Sequence, residues 1–240
     1  MGLSPQPANF SAIEFSNLEA LHKTPVEHFD SHVQSIYYNS GLDSRGLSYN
    51  TFKLAVAGYY NLKKAGRLSY RPILTIVDFN QPSSADRIYV VDMQQQSVLF
   101  QTLVSHGEKS GMLYANYFSN RHQSHQSSLG FYKTAETYYG QHGYSLKLDG
   151  LDRGFNHNAR SRGVVVHGAY YVDHNYVRSH GSIGRSWGCP ALPEGVHKDI
   201  INAIQGGSCM FIYKDNLDYL NQTPHINFHT AANFYLENGY

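Results

Sequence analysis

Two short blocks hold side chains whose types and spacing suit covalent catalysis. The first is the apolar run Val164-Val165-Val166 ending in His167-Gly168. The second is Gly184-Arg185-Ser186-Trp187-Gly188-Cys189-Pro190-Ala191, which sets Cys189 22 positions after that histidine. A β-run that ends in His-Gly presents an imidazole at a strand end. A cysteine that follows glycine in a turn exposes a thiol among backbone N–H groups. Together these are the components of a nucleophile, a general base and an oxyanion site. The competing reading is a core cysteine beside an unrelated histidine, because free cysteines are often buried and inert.

The chain around these blocks supplies a scaffold for them. Residues 12–66 read as helical: Thr24-Pro25-Val26-Glu27 forms a capping box with proline at the first helical position, and Val26, Phe29, Val33 and Ile36 or Tyr37 follow at helical spacing. That helix is expected to end near Gly41. Ser48 caps a further helix with Phe52, Val56, Tyr59 and Leu62 on one face, and Gly66 stops it. From Ile73 the pattern changes to β-type runs: 73–79, 87–93, 97–105, 129–134, 144–148, 163–167 and 208–213. Met93-Gln94-Gln95-Gln96-Ser97 reads as a hairpin connection, so the sheet contains antiparallel neighbours. One later helix, about Val196 to Gln205, is closed by Gly206-Gly207. The expected organisation is a helical section over residues 1–69, a β-rich catalytic domain over 70–214 and a tail over 215–240 whose structure the pattern leaves open. The class is mainly β with mixed sheets, α+β overall.

The residues around both blocks resemble the L,D-transpeptidase catalytic domain (YkuD-like), whose signature is His-Gly, a spacer and Ser-His-Gly-Cys. The likeness is stronger to the branch in which the second run reads Gly-Arg-Ser-x-Gly-Cys-Pro-Ala. Further segments match in order: Ile73 to Phe79, Ser105-His106-Gly107, Ser127 to Tyr132, Gly143 to Leu146, Leu148 to Leu151 and Gly206-Gly207-Ser208-Cys209. The resemblance covers about residues 45–214. It implies a β-sandwich in which Cys189 carries an acyl group and His167 takes its proton. It also implies that the Gly168 carbonyl fixes the imidazole tautomer, and that the N–H groups of Gly188 and Cys189 face the oxyanion. Two departures stand out. Trp187 replaces the second histidine of Ser-His-Gly-Cys, and Pro190-Ala191 stands where an arginine commonly follows the cysteine. The usual anchor for a substrate carboxylate is therefore missing. Arg185 is the replacement chosen over Arg160 and Arg162, because it lies four residues from the nucleophile.

Ser186 is expected to donate to substrate or to shape the turn. Trp187 lines the cleft, and His106 is expected to line it or to sit at the surface. His122 and His125 bind a metal only if a third ligand converges, and a polar loop explains them better. Cys209, before Met210-Phe211-Ile212, reads as a buried strand thiol.

Composition removes other classes. Nineteen Lys and Arg against 18 Asp and Glu leave a net charge of +1, which provides no basic field for nucleic acid or an anionic membrane. The longest apolar runs are far short of the ~20 residues that cross a bilayer. Two cysteines are too few for a disulfide framework. The start, Met1 to Pro7, lacks the regions of a secretory signal, consistent with one already removed, and Gln6 stands where myristoylation wants Ser or Thr. The resemblance implies a periplasmic or exported enzyme of the cell envelope that needs no cofactor. Its partners would be peptidoglycan stem peptides, as donor and as amine acceptor. The expected reaction is cleavage of the diamino acid–D-alanine bond and transfer of the acyl group to an amine. Hydrolysis of the same bond by an L,D-carboxypeptidase is one alternative, and a non-catalytic peptidoglycan-binding protein is another. A papain-type peptidase is disfavoured, because His precedes Cys and Pro190 follows the thiol directly.

Overall fold

A computed structural model describes residues 23–239. The part of the helical reading at 12–22, like the leader and lipidation readings, lies outside the described residues. Helix α1 (Pro25–Asn39) starts at the expected capping box: Glu27 N–H donates to Thr24 Oγ1 at 3.3 Å, and Thr24 N–H donates to Glu27 Oε2 at 2.6 Å. Helix α2 (Tyr49–Lys64) starts at Ser48, whose hydroxyl accepts from Thr51 N–H at 3.1 Å.

The strands are β1 (Ile73–Asp78), β2 (Ile88–Asp92), β3 (Ser97–Thr102), β4 (Gly130–Gly140), β5 (Gly143–Gly150) and β6 (Val165–Gly168). After α3 (His174–His180) come β7 (Ala191–Leu192), α4 (His197–Ile204), β8 (Cys209–Tyr213), α5 (Leu217–Gln222) and α6 (Phe228–Asn238). One continuous ladder joins all eight strands in the order β3-β2-β1-β8-β4-β5-β6-β7, linking what the resemblance implies as a sandwich. β1 with β8 and β6 with β7 are parallel, and the other neighbours are antiparallel. The fold is α+β with a mixed sheet.

Helices α1, α2 and α6 bury their apolar faces with the sheet in a common core that holds Phe29, Phe52, Phe131, Phe211, Tyr219 and Ala231. Close approach of α2 to the sheet depends on Gly58, where a Cβ would fall inside the Phe131 ring. The tail is ordered. Asn216 and Asn227 cap its two helices, and Asn61 Nδ2 donates to the His225 and Asn227 carbonyls at 2.7 and 2.9 Å. The buried carboxylate of Asp152 ties this tail to the sheet, accepting from Thr223 Oγ1 at 2.6 Å and from Phe131 N–H at 2.6 Å. Among the described residues no helix is long and apolar enough to cross a membrane.

Candidate active site

β6 is a short, buried strand held between β5 and β7, with His167 opposite Ser145 on one side and Ala191 on the other. This register sets the two sequence blocks side by side at one end of the sheet. His167 is 3% exposed, and its Nδ1 donates to the Gly168 carbonyl at 2.9 Å. Nε2 has no hydrogen-bond partner among the described residues. Cys189 is half-buried in the turn before β7, where Val165 N–H reaches its Sγ at 3.5 Å and the thiol faces the Gly163 carbonyl at 3.7 Å. Both side chains line one cleft of about 730 Å³.

Burial acts on the two groups in opposite directions. It pushes the Cys189 thiol up, partly offset by the Val165 N–H and by the positive charge of Arg162. It pulls His167 down against the Gly168 hydrogen bond, and His142 and His197 lower it further. Both shifts favour a neutral thiol beside a neutral imidazole.

The turn that carries Cys189 is held by the segment that begins at Leu103. Buried Arg87 donates to the Val104 carbonyl through Nη2 at 3.0 Å and through Nε at 3.2 Å. Ser105 N–H donates to the Ala191 carbonyl at 2.9 Å, and Ala191 N–H donates back to Ser105 Oγ at 3.2 Å. Gly107 and Ser186 form a parallel bridge, with Ser186 N–H donating to the His106 carbonyl at 3.0 Å. Gly188 has φ +121°, and a Cβ there would lie 2.7 Å from the Gln126 carbonyl oxygen, so glycine is required.

Several expected site residues take other roles. Ser186 is buried, and its hydroxyl is spent inside the turn: it donates to the Cys189 carbonyl at 2.6 Å and accepts from Gly188 N–H at 3.0 Å. In this arrangement it shapes the turn while lining the cleft. The same bond occupies the Gly188 N–H, so in this arrangement only the Cys189 N–H has no acceptor among the described residues. His106 is neither cleft-lining nor at the surface. It is fully buried, accepts from Arg87 Nη2 at Nδ1 over 2.8 Å and donates from Nε2 to the Gly111 carbonyl at 3.3 Å. Burial, with the Arg87 charge beside it, pulls its pKa down to about 4.

The three arginines separate by their hydrogen bonds. Arg160 is paired with Glu136 and Asp149 away from the cleft. Arg162 lines the cleft, but its Nη1 and Nη2 are taken by Ser119 O, Ser128 Oγ, Ser124 Oγ and Gln126 O. Among the described residues Arg185 uses only Nη1, on the Glu108 and Gly111 carbonyls at 3.1 and 3.2 Å, and lines the cleft exposed. Its Nη2 and Nε retain donors that a carboxylate can take.

Trp187 is 73% exposed and stacks on His125, with ring centroids 4.8 Å apart and planes 7° apart. His125 in turn donates from Nδ1 to Glu108 at 2.7 Å, so this wall of the cleft is braced. Among the described residues no group of three or more His, Cys, Asp or Glu side chains is arranged to hold a metal. Sequence reasoning missed His142, on the β4–β5 hairpin, whose ring lies against His167 at 4.3 Å between centroids. It also missed Tyr171 as a cleft residue.

Compared with known families, residues 43–213 match the L,D-transpeptidase catalytic domain. The chain belongs to that family. This L,D-transpeptidase-family chain is similar to several solved structures. An L,D-transpeptidase from Mycobacterium smegmatis shares 14% identity over 60% of this chain and 59% of that one, with a TM-score of 0.38. L,D-transpeptidase 3 from Mycobacterium tuberculosis, in complex with a faropenem-derived adduct, shares 12% over 60% of each chain, with a TM-score of 0.39. The helical cell shape determining protein Pgp2 from Campylobacter jejuni shares 12% over 75% of this chain and 61% of that one, with a TM-score of 0.40. The match thus spans about three fifths of each solved relative. No curated protein matches the chain.

Proposed function

We propose that the chain is a peptidoglycan L,D-transpeptidase of the cell envelope with Cys189 as nucleophile and His167 as base. The observation that carries this reading is that both side chains line one cleft, with His167 Nδ1 on the Gly168 carbonyl and Nε2 without a partner among the described residues. In the resting site the thiol keeps its proton. As Sγ attacks the carbonyl carbon at the L-centre of a stem-peptide diamino acid, Nε2 takes that proton. The tetrahedral oxyanion is met by the Cys189 N–H, joined by the Gly188 N–H if Ser186 releases it. Collapse breaks the C–N bond to D-alanine, and the imidazolium gives its proton to the departing amine. A thioester remains on Cys189. The amine of a second stem then attacks the thioester, His167 takes a proton from it, the C–S bond breaks and the sulfur recovers a proton. Arg185 anchors a substrate carboxylate, and the Trp187–His125 wall bounds the cleft. Residues 70–214 carry the chemistry, while the helical section before them and the tail after them support the sheet.

Mass spectrometry of the protein incubated with purified disaccharide tetrapeptide tests this. The expected products are a covalent adduct on Cys189 and a cross-linked dimer. Accumulation of trimmed tripeptide without dimer would assign an L,D-carboxypeptidase instead. Unchanged substrate beside unmodified protein would leave a non-catalytic peptidoglycan binder.

A further inference from the structure

The β4–β5 hairpin reverses through Gly140 and Gly143, with Gly143 at φ +71°, and its tip carries Gln141 and His142. The tip is exposed, yet the His142 ring is laid against His167, 23° from parallel. Two cavities meet at this pair: the cleft that holds Cys189 and a second one of about 640 Å³. His142 and His167 line both. His142 therefore covers a base that is otherwise walled by protein.

We propose that His142 is a positioning residue for the reaction, a second imidazole that holds the His167 ring in place and keeps it free of a proton for sulfur deprotonation. The proposal rests on His167 acting as the base. A positive charge on one of two stacked imidazoles opposes a second on the adjoining ring. The His142 ring beside it makes His167 harder to protonate, so the base stays competent at lower pH.

The other groups around His167 agree with this. His197, on α4, faces it across Gly168 and donates from Nδ1 to the Glu194 carbonyl at 2.8 Å. Tyr171, from the segment after β6, lines both cavities with it, and Cys189 and Arg162 line the first. Glu194 and Lys198 line the second cavity. Among the described residues no carboxylate bonds to His167, whose Nδ1 partner is a carbonyl, so none of them holds the imidazolium as an ion pair.

The test is an NMR titration of histidine-labelled protein, with His167 assigned through His167→Gln. It is run on the parent, on His142→Phe, which keeps a ring but no charge, and on His142→Gln. Alongside it, the rate at which a carbapenem acylates Cys189 is measured against pH. In His142→Phe the His167 midpoint is expected to rise by about half a pH unit or more, and the acid limb of acylation to move up with it. At alkaline pH the Phe variant should acylate faster than the Gln variant, because it retains the stacked ring. An unmoved His167 midpoint in both variants would overturn the proposal. A shifted midpoint in a protein that leaves tetrapeptide untouched would support this pairing while removing the transpeptidase reading.

Discussion

Cys209 and Cys189 show how one fold makes two thiols unlike each other. Cys209 opens β8, the strand between β1 and β4, and is fully buried, its thiol pushed far up by burial and further by Asp152. Cys189 sits at one end of the ladder, in the turn before β7, half-buried and open to a cleft that His167 and Arg162 also line. Both thiols are raised by desolvation, but only Cys189 has an N–H and a cation offsetting that cost. Access and neighbouring groups, not the thiol itself, decide which sulfur can react.

The comparison is broken most simply by removing each sulfur in turn. Cys189→Ala should abolish turnover, since a two-step path cannot run without its covalent centre. Cys209→Ala should stay active and lose on the order of 1 to 2 kcal/mol of stability, measured by urea denaturation. Equal activity of Cys189→Ala and the parent would dissolve the distinction. Next in size is His167→Gln, expected to fold normally and to slow acylation about a hundredfold or more in a stopped-flow assay with a substrate mimic. Because burial holds His167 below the usual imidazole range, the neutral base persists as pH falls, and the acid limb of that rate should lie under the ordinary histidine midpoint. A limb at or above it would contradict the buried-base account.

Ser186→Ala removes two hydrogen bonds inside the turn at once, to the Cys189 carbonyl and from Gly188 N–H. A loss of about 1 to 3 kcal/mol of stability is expected by thermal melting, with acylation slowed because the nucleophile is less well held. Full stability with an effect confined to substrate affinity would return Ser186 to the substrate. The smallest effect is expected from Trp187→His, a severalfold faster carbapenem acylation as the exposed indole leaves the cleft mouth. An unchanged rate would show that the indole does not crowd that ligand.

Local signals carried much of this architecture. The Thr24–Glu27 box and Ser48 are visible because capping depends on residues three apart, and the β-runs show because their apolar residues are consecutive. β4 continues to Gly140, past the expected end at Thr134, because Thr137 to Tyr139 are held by pairing with β5 and not by their own burial. The two-residue β7 and the helix α3 were too short to announce themselves. Asn216 and Asn227 are capping residues that make the tail readable in retrospect.

That Cys189 and His167 share one cleft was legible from the company they keep in sequence. The burial of His106, and the choice between the two readings of Ser186, were not legible because their partners, Arg87 and the Cys189 carbonyl, are set by tertiary folding. His142 left no local signal, since its contact with His167 arises only when β5 pairs with β6.

The central claim is that Cys189 is an activated nucleophile in a site built for acyl transfer. Peptide mapping by mass spectrometry after incubation with a carbapenem tests it most directly, because the strained amide carbonyl reports both the sulfur and its oxyanion donors. The account predicts one adduct per chain, on the peptide containing Cys189, with Cys209 unmodified. A protein whose Cys189 is labelled by iodoacetamide but carries no carbapenem under the same conditions would contradict it.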